Sequence, residues 1–166
     1  GVQLKVVHSD LLNIPCDAIV NPANNKLQHG GGAARAIANA AGYEIVIESE
    51  KILEDFYNQT IPEGTAVITE AFDIVKSNRS VRYIIHAVGP VYTNGSESEC
   101  SKYRETVRAA LTMAVQGGAE SINMPLMGAG LFRWPLEIAA NQMILAISEW
   151  VGARESTSKL VINLLD

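Results

Sequence analysis

Apolar and polar positions along this chain follow two rhythms that take turns. Leu4 to His8 (LKVVH) and Asp17 to Val20 (DAIV) are short runs rich in Val and Ile that read as strands. Ala33 to Ala41 (AARAIANAA) has strong helix propensity and stops at Gly42, a C-terminal cap. Tyr43 to Tyr57 repeats Ile45, Ile52, Leu53 and Phe56 at roughly helical spacing, which predicts a second helix. Ile61-Pro62-Glu63-Gly64 is a turn signal, and Thr65 to Thr69 (TAVIT) reads as the next strand. Tyr83 to Val88 (YIIHAV) is a strand that ends at Gly89-Pro90, and the polar segment Val91 to Glu99 reads as a surface loop. Cys100 to Gln116 predicts a helix closed by Gly117-Gly118, and Ser121 to Met124 (SINM) a strand. Pro135 suits the first position of a helix running to Val151, because its missing N–H costs nothing there. Leu160 to Leu165 (LVINLL) is the final strand.

Repeated strand-then-helix order without internal repeats predicts the α/β class, with helices on both faces of a mixed, mostly parallel sheet. Ligands of open α/β sheets sit beyond the carboxyl ends of the strands, which directs attention to the loops after Val20, Val88, Met124 and Leu164. Composition narrows the picture further. The 166 residues are 48% hydrophobic and 19% charged, which fits one globular domain over residues 1–166. The GVQ start suggests a module cut from a longer polypeptide. No apolar run approaches the ~20 residues of a membrane span, and the first residues lack the pattern of a secretory signal. Cys16 and Cys100 cannot build a disulfide framework; an intracellular location (cytoplasm or nucleus) is expected, with Cys16 in the core and Cys100 a loop thiol. A monomer is expected. Thirteen Lys+Arg against 18 Asp+Glu give a net charge of −5, which argues against strong nucleic-acid binding by counterion release.

Two loops carry the candidate chemistry. Asn21 to Gly32 (NPANNKLQHGGG) runs into the Ala33 helix, and Met127 to Trp134 (MGAGLFRW) into the Pro135 helix. Glycine lets a backbone approach a ligand closely, and the free N–H groups at a helix start attract anions. Two such loops at one sheet edge can clamp a diphosphate from both sides, and backbone dipoles let an acidic protein do so. No P-loop motif occurs. Gly128-Ala129-Gly130 lacks the third glycine of a dinucleotide fingerprint, because Arg133 stands there. His8, His29 and His86 are scattered, there is no C-x-x-C or H-E-x-x-H, and neither a metal site nor a cofactor is expected. His86 on its apolar strand reads as a structural histidine, and Trp134 and Trp150 as packing residues.

At these residues the sequence resembles the macrodomain family of ADP-ribose-binding modules. The matching pieces lie in family order over essentially the whole chain: Ser9-Asp10-Leu11, DAIVNPAN from Asp17, HGGGAARAI from His29, IIHAVGP from Ile84, and MPLMGAGLF from Met124. The HGGG loop is similar to those of macrodomains in ADP-ribosyltransferase-type proteins and in positive-strand RNA viruses. The resemblance implies a three-layer α/β/α sandwich. It also implies site roles. Asp10 would accept a hydrogen bond from the adenine amino group, and the Leu11 backbone would lie against the same ring. Asn24 would bond the distal ribose hydroxyls, with Ala23 beside it. Gly30, Gly31, Gly32 and Ala33 would line one side of the diphosphate. Gly128, Ala129, Gly130 and Leu131 would offer N–H groups from the other, and Phe132 would pack on the distal ribose. Leu165 stands where many relatives place an aromatic against adenine.

Several members of the family release ADP-ribose from Asp or Glu side chains by a substrate-assisted route in which Asn24 would align the distal ribose as the catalytic position. Three departures bear on that activity. Ala34 stands where one active branch has an Asp that helps to position water, Pro22 replaces a common Ala and removes an N–H, and Leu165 is not aromatic. Three readings remain open at this point. The chain is a hydrolase of mono-ADP-ribosylated proteins, a non-catalytic reader of mono- or poly-ADP-ribose, or an α/β protein for another phosphate ligand.

Overall fold

A computed structural model describes residues 1–165. Six strands form one sheet: β1 (Val2–Val7), β2 (Ala18–Ala23), β3 (Thr65–Glu70), β4 (Tyr83–Val88), β5 (Ser121–Pro125) and β6 (Leu160–Leu165). Their order across the sheet is β1-β6-β5-β2-β4-β3. All neighbours are parallel except β3 and β4, which run antiparallel. Helices α1 (Gly32–Ala41) and α2 (Glu44–Phe56) pack on one face, and α3 (Glu97–Gln116) and α4 (Leu136–Gly152) on the other. The expected α/β/α sandwich with a mixed, mostly parallel sheet is the observed architecture.

Alternation along β2 shows how the sequence serves both layers. Ala18 and Val20 pack with Leu111, Ala114 and Ile147 of α3 and α4, whereas Ile19 packs with Ile37 and Ile45 of α1 and α2. A strand buried on both faces reads as a continuous apolar run, which is why DAIV was legible.

Differences from the sequence reading lie at element ends. β1 covers Val2–Val7 and not Leu4 to His8, and β2 continues through Pro22 to Ala23. α3 begins at Glu97, because Ser96 caps it: the Glu99 N–H donates to Ser96 Oγ at 3.2 Å. The preceding loop therefore ends at Ser96, and Cys100 is no loop thiol but a core residue in the first turn of α3, 7% exposed. Pro135 has an extended ψ of 135° and caps α4, so Leu136 is the first helical residue. A short 3-10 turn, Phe72–Lys76, was not foreseen, since five residues are too few to show a period.

The buried polar groups follow an order of their own. His86 of β4 is fully buried. The Asn21 amide donates to its Nδ1 at 2.9 Å, and its Nε2–H donates to Thr69 Oγ1 at 2.9 Å. The Thr69 hydroxyl passes its own proton to the Glu70 carbonyl at 3.1 Å, which fixes this tautomer of the neutral ring. The structural role expected for His86 holds. Burial, with the His29 ring tilted against it 5.5 Å away, pushes its pKa from 6.5 down to about 3. Between those two pH values the unfolded imidazole binds a proton that the folded one refuses, so stability is present above about pH 6.5 and falls on acidification. One such group changes stability by up to about 1.4 kcal/mol per pH unit. Urea denaturation between pH 7 and pH 4 is expected to give a shallower loss for His86→Gln than for the wild type. Equal slopes would mean that His86 is not the group that resists protonation.

Candidate functional site

The site begins with an incomplete strand pairing. β2 matches β4 in register along its whole length, from Ala18↔Tyr83 to Ala23↔Val88, and β5 matches β6 up to Pro125↔Leu165. β2 and β5, in contrast, pair only at Ala18↔Ile122 and Ile19↔Asn123. Beyond that point they part, and a crevice opens at the edge where the five parallel strands end. Pro22 lies in the parted stretch, where a residue without an N–H is tolerated as on a sheet edge.

Both glycine loops hang over this crevice. From β2 the chain turns through Asn24–Gly31 into α1, and from β5 through Leu126–Pro135 into α4. Gly31 caps α1 without a side-chain hydrogen bond, and no acidic residue stands in the first turn. The first N–H groups of α1 are therefore left to a ligand. A cavity of about 270 Å³ is lined on one side by Gly30, Gly31, Gly32, Ala33 and Ala34, and on the other by Gly128, Ala129, Gly130, Leu131 and Phe132. Pro22, Asn24, Gln28 and Leu126 complete it. The loops meet above it: Leu131 Cδ1 lies 3.0 Å from where a Cβ on Gly31 would stand.

Asn24 is held by its own turn. Its Oδ1 accepts from the Lys26 and Gln28 N–H groups at 3.1 and 2.9 Å, and its Nδ2 donates to the Gln28 carbonyl at 3.1 Å. With both acceptor positions used, one amide N–H remains for a ligand.

The second loop is tied to the core by Trp134, which is 2% exposed. Its Nε1–H donates to the Pro90 carbonyl at 2.8 Å, its backbone N–H donates to the Gly128 carbonyl at 2.9 Å, and Tyr92 and Tyr103 pack on its rings. Tyr103 also donates its hydroxyl to the Met127 carbonyl at 2.7 Å.

A second, wider cavity of about 590 Å³ adjoins the first along Ala33, Leu126 and Ala129. Leu11, Pro125, Leu136, Ala140 and Leu165 give it apolar walls, and Ser9 and Glu137 add polar groups to its lining. Asp10, exposed between Ser9 and Leu11, uses Oδ1 to accept from the Leu12 N–H at 2.8 Å, and its second oxygen remains available. The groove thus has a glycine half and an apolar half, the polarity pattern of a nucleoside diphosphate.

Residues 20–143 match the family model described as Macro domain. The chain belongs to the macrodomain family. A protein of Archaeoglobus fulgidus named ADP-ribose glycohydrolase is 33% identical over 166 residues, covering 97% of this chain and 85% of that protein. An uncharacterised protein of Thermotoga maritima is 35% identical over 158 residues and covers 95% of this macrodomain, which spans 25% of that protein's length. Among solved structures, a variant of the Oceanobacillus iheyensis macrodomain with ADP-ribose superposes with a TM-score of 0.86 at 28% identity, covering 98% of this chain and 84% of that one.

Most of the sequence-predicted site residues of this macrodomain line the groove. Ala23 and Asp10 do not: the Ala23 methyl is buried with Leu27, Ile61 and Val67, and Asp10 is exposed between the lining residues Ser9 and Leu11. Phe132 lies in the second loop, before α4. Gln28, Leu126, Leu136, Glu137 and Ala140 line the groove without having been singled out. Leu126 stood inside the MPLMGAGLF motif, and Leu136 to Ala140 were legible as the first turns of a helix that starts at the ligand edge. Among the described residues, no group of three or more His, Cys, Asp or Glu side chains is placed to hold a metal ion, and no helix is long and apolar enough to cross a membrane.

The two loops make different demands on glycine. Gly128 has φ +80°, and a Cβ there would stand 2.7 Å from Trp134 Cδ1, whereas Gly130 has open space. Gly128→Ala is expected to cost about 2 kcal/mol in urea denaturation, from positive-φ strain and displacement of the Trp134 anchor. Gly130→Ala is expected to stay within about 0.5 kcal/mol of the wild type. Equal costs would show that Trp134 does not set the loop's shape.

Proposed function

We propose that this macrodomain binds ADP-ribose and releases it from mono-ADP-ribosylated Asp and Glu side chains. The observation that carries the reading is the groove itself, in which two glycine loops from neighbouring parallel strands face each other beside an apolar chamber. The diphosphate lies between Gly30–Ala33 and Gly128–Leu131 and is held by backbone N–H groups. The adenine enters the apolar half between Leu11 and Leu165, with its amino group donating to Asp10. The distal ribose packs on Phe132 and receives the remaining Asn24 amide N–H.

In the glycine half no lining side chain titrates near neutral pH. The chain therefore has no general base to offer there, and its contribution is orientation and electrostatics. A water attacks the anomeric carbon, the bond to the carboxylate oxygen breaks, and the carboxylate departs. The water's proton passes to the bound diphosphate. The A. fulgidus relative's name, ADP-ribose glycohydrolase, supports a hydrolase reading. The same bare lining favours a second reading, a reader of mono- or poly-ADP-ribose without turnover, with Ala34 as the observation behind it.

The deciding experiment follows ADP-ribose release from a glutamate-modified protein over time, with wild type beside Asn24→Ala. Release by the wild type that slows about a hundredfold or more in the variant is expected. Capture of the modified protein without release would leave the reader. Saturating ADP-ribose is also expected to raise Tm in the wild type and not in Gly130→Glu, whose side chain has room to fold but sets a carboxylate against the diphosphate. A normal shift in Gly130→Glu would move the diphosphate elsewhere.

A further inference from the structure

The segment from His8 to Asp17 joins β1 to β2 and carries Asp10 and Leu11. It packs Leu11 and Leu12 against the core without being a helix or a strand, so its carbonyls need other donors. Buried asparagines supply them. Asn123 of β5, fully buried, donates both amide protons, to the Leu11 carbonyl at 3.1 Å and the Ile14 carbonyl at 2.8 Å. Its Oδ1 accepts from Asn163 of β6 at 2.9 Å. Asn78, 5% exposed, approaches from beyond the 3-10 turn and donates to the Leu12 carbonyl at 3.1 Å and the Ile14 carbonyl at 2.9 Å.

These bonds hold the peptides that aim Asp10. The Asp10 carboxylate is tied to the Leu12 N–H, and its carbonyl accepts from the Asn13 N–H at 3.0 Å, so the turn moves as one piece with Leu11 and Leu12. A carboxylate presented on an irregular loop selects for a purine amino group only if the loop is rigid, since a swinging acceptor meets any base equally well.

We propose that Asn123 and Asn78 are positioning residues for base selectivity, setting the preference for a 6-amino purine over a 6-oxo purine through the Asp10 turn. The inference rests on the ADP-ribose reading above. Neither side chain lines the groove, so an effect on base preference reaches the ligand through the turn.

The test compares ADP-ribose with its hypoxanthine analogue, inosine diphosphate ribose, by calorimetry in wild type, Asn123→Ala and Asn78→Ala. Hydrogen exchange of residues 9–15 is read in parallel. Wild type is expected to prefer ADP-ribose by about tenfold or more, as one hydrogen bond to a charged acceptor allows. In either variant the preference is expected to collapse because ADP-ribose loses the Asp10 hydrogen bond as well as Leu11 contact, whereas the analogue loses Leu11 contact alone, with exchange faster in residues 9–15 alone. General destabilisation would weaken both ligands together and leave the ratio intact. Asn78→Ala, which leaves the Asn123–Asn163 pair in place, carries the test if Asn123→Ala does not fold. A preserved ratio in folded variants overturns the inference while leaving ADP-ribose binding untouched. Absence of ADP-ribose binding in the wild type overturns the functional reading, even if residues 9–15 loosen as expected.

Discussion

The ligand edge depends on β2 and β5 ceasing to pair after Ile19 and Asn123. Continuous pairing would close the sheet and leave each glycine loop an ordinary connection above a sealed edge. Parting leaves β2 bonded to β4 alone along Asn21–Ala23 and β5 bonded to β6 alone, and the gap between them is the floor of the groove. Parallel order then brings the starts of α1 and α4 to the same side. The strand that contributes Pro22 to the gap also keeps Asn21 beneath it, bonded to His86, so the floor stays rigid where the ladder is missing.

In the proposed reading the groove meets an anion without cationic side chains. A protein of net charge −5 that used lysines for this purpose would set them against its own field. Backbone N–H groups at an uncapped helix start carry their partial charges in fixed directions, at the cost of a glycine-rich loop that must be held in shape. Trp134 meets that cost for the second loop, with hydrogen bonds to Pro90 and Gly128 and two tyrosines against its ring. Asn24 does so for the first, by closing the turn to Gln28 with three hydrogen bonds. The turn role that an asparagine beside glycines usually has occupies Oδ1 and one Nδ2 proton, and the ligand role implied by the family is left the other Nδ2 proton.

At the apolar end the problem is reversed. A loop, not a helix, covers the sheet beside β5, and its carbonyls would be unsatisfied against a greasy surface. Asn123, Asn163 and Asn78 convert that surface into a set of donors. Asn123 and Asn163 stand within apolar strands, where a polar residue looks like an interruption, and Asn78 stands in the polar stretch Lys76 to Ser80, where it looks like a surface residue when only neighbours in sequence are considered.

Strand and helix identities followed from local pattern alone, because short Val/Ile runs and helical spacing report burial on one or both faces. The glycine loops and their neighbouring helices were equally plain, since clustered glycines stand out in sequence, although only Gly32 and Gly128 among them take a positive φ. Ends were less legible. The start of α3 depends on one Ser96 hydroxyl, and the length of β2 on its neighbour β4, so Cys100 moved from loop to helix and Pro22 from loop to strand. What only the tertiary structure decided is which residues share the groove. Leu11, Leu126, Leu136 and Leu165 come from four separate segments and meet because the parallel strands end together. Asn123 and Asn78 reach the Asp10 turn through contacts between residues 64 to 112 positions apart in sequence. Local preference acts over a few residues, whereas a shared wall or a long-range hydrogen bond exists only after the sheet has set its order.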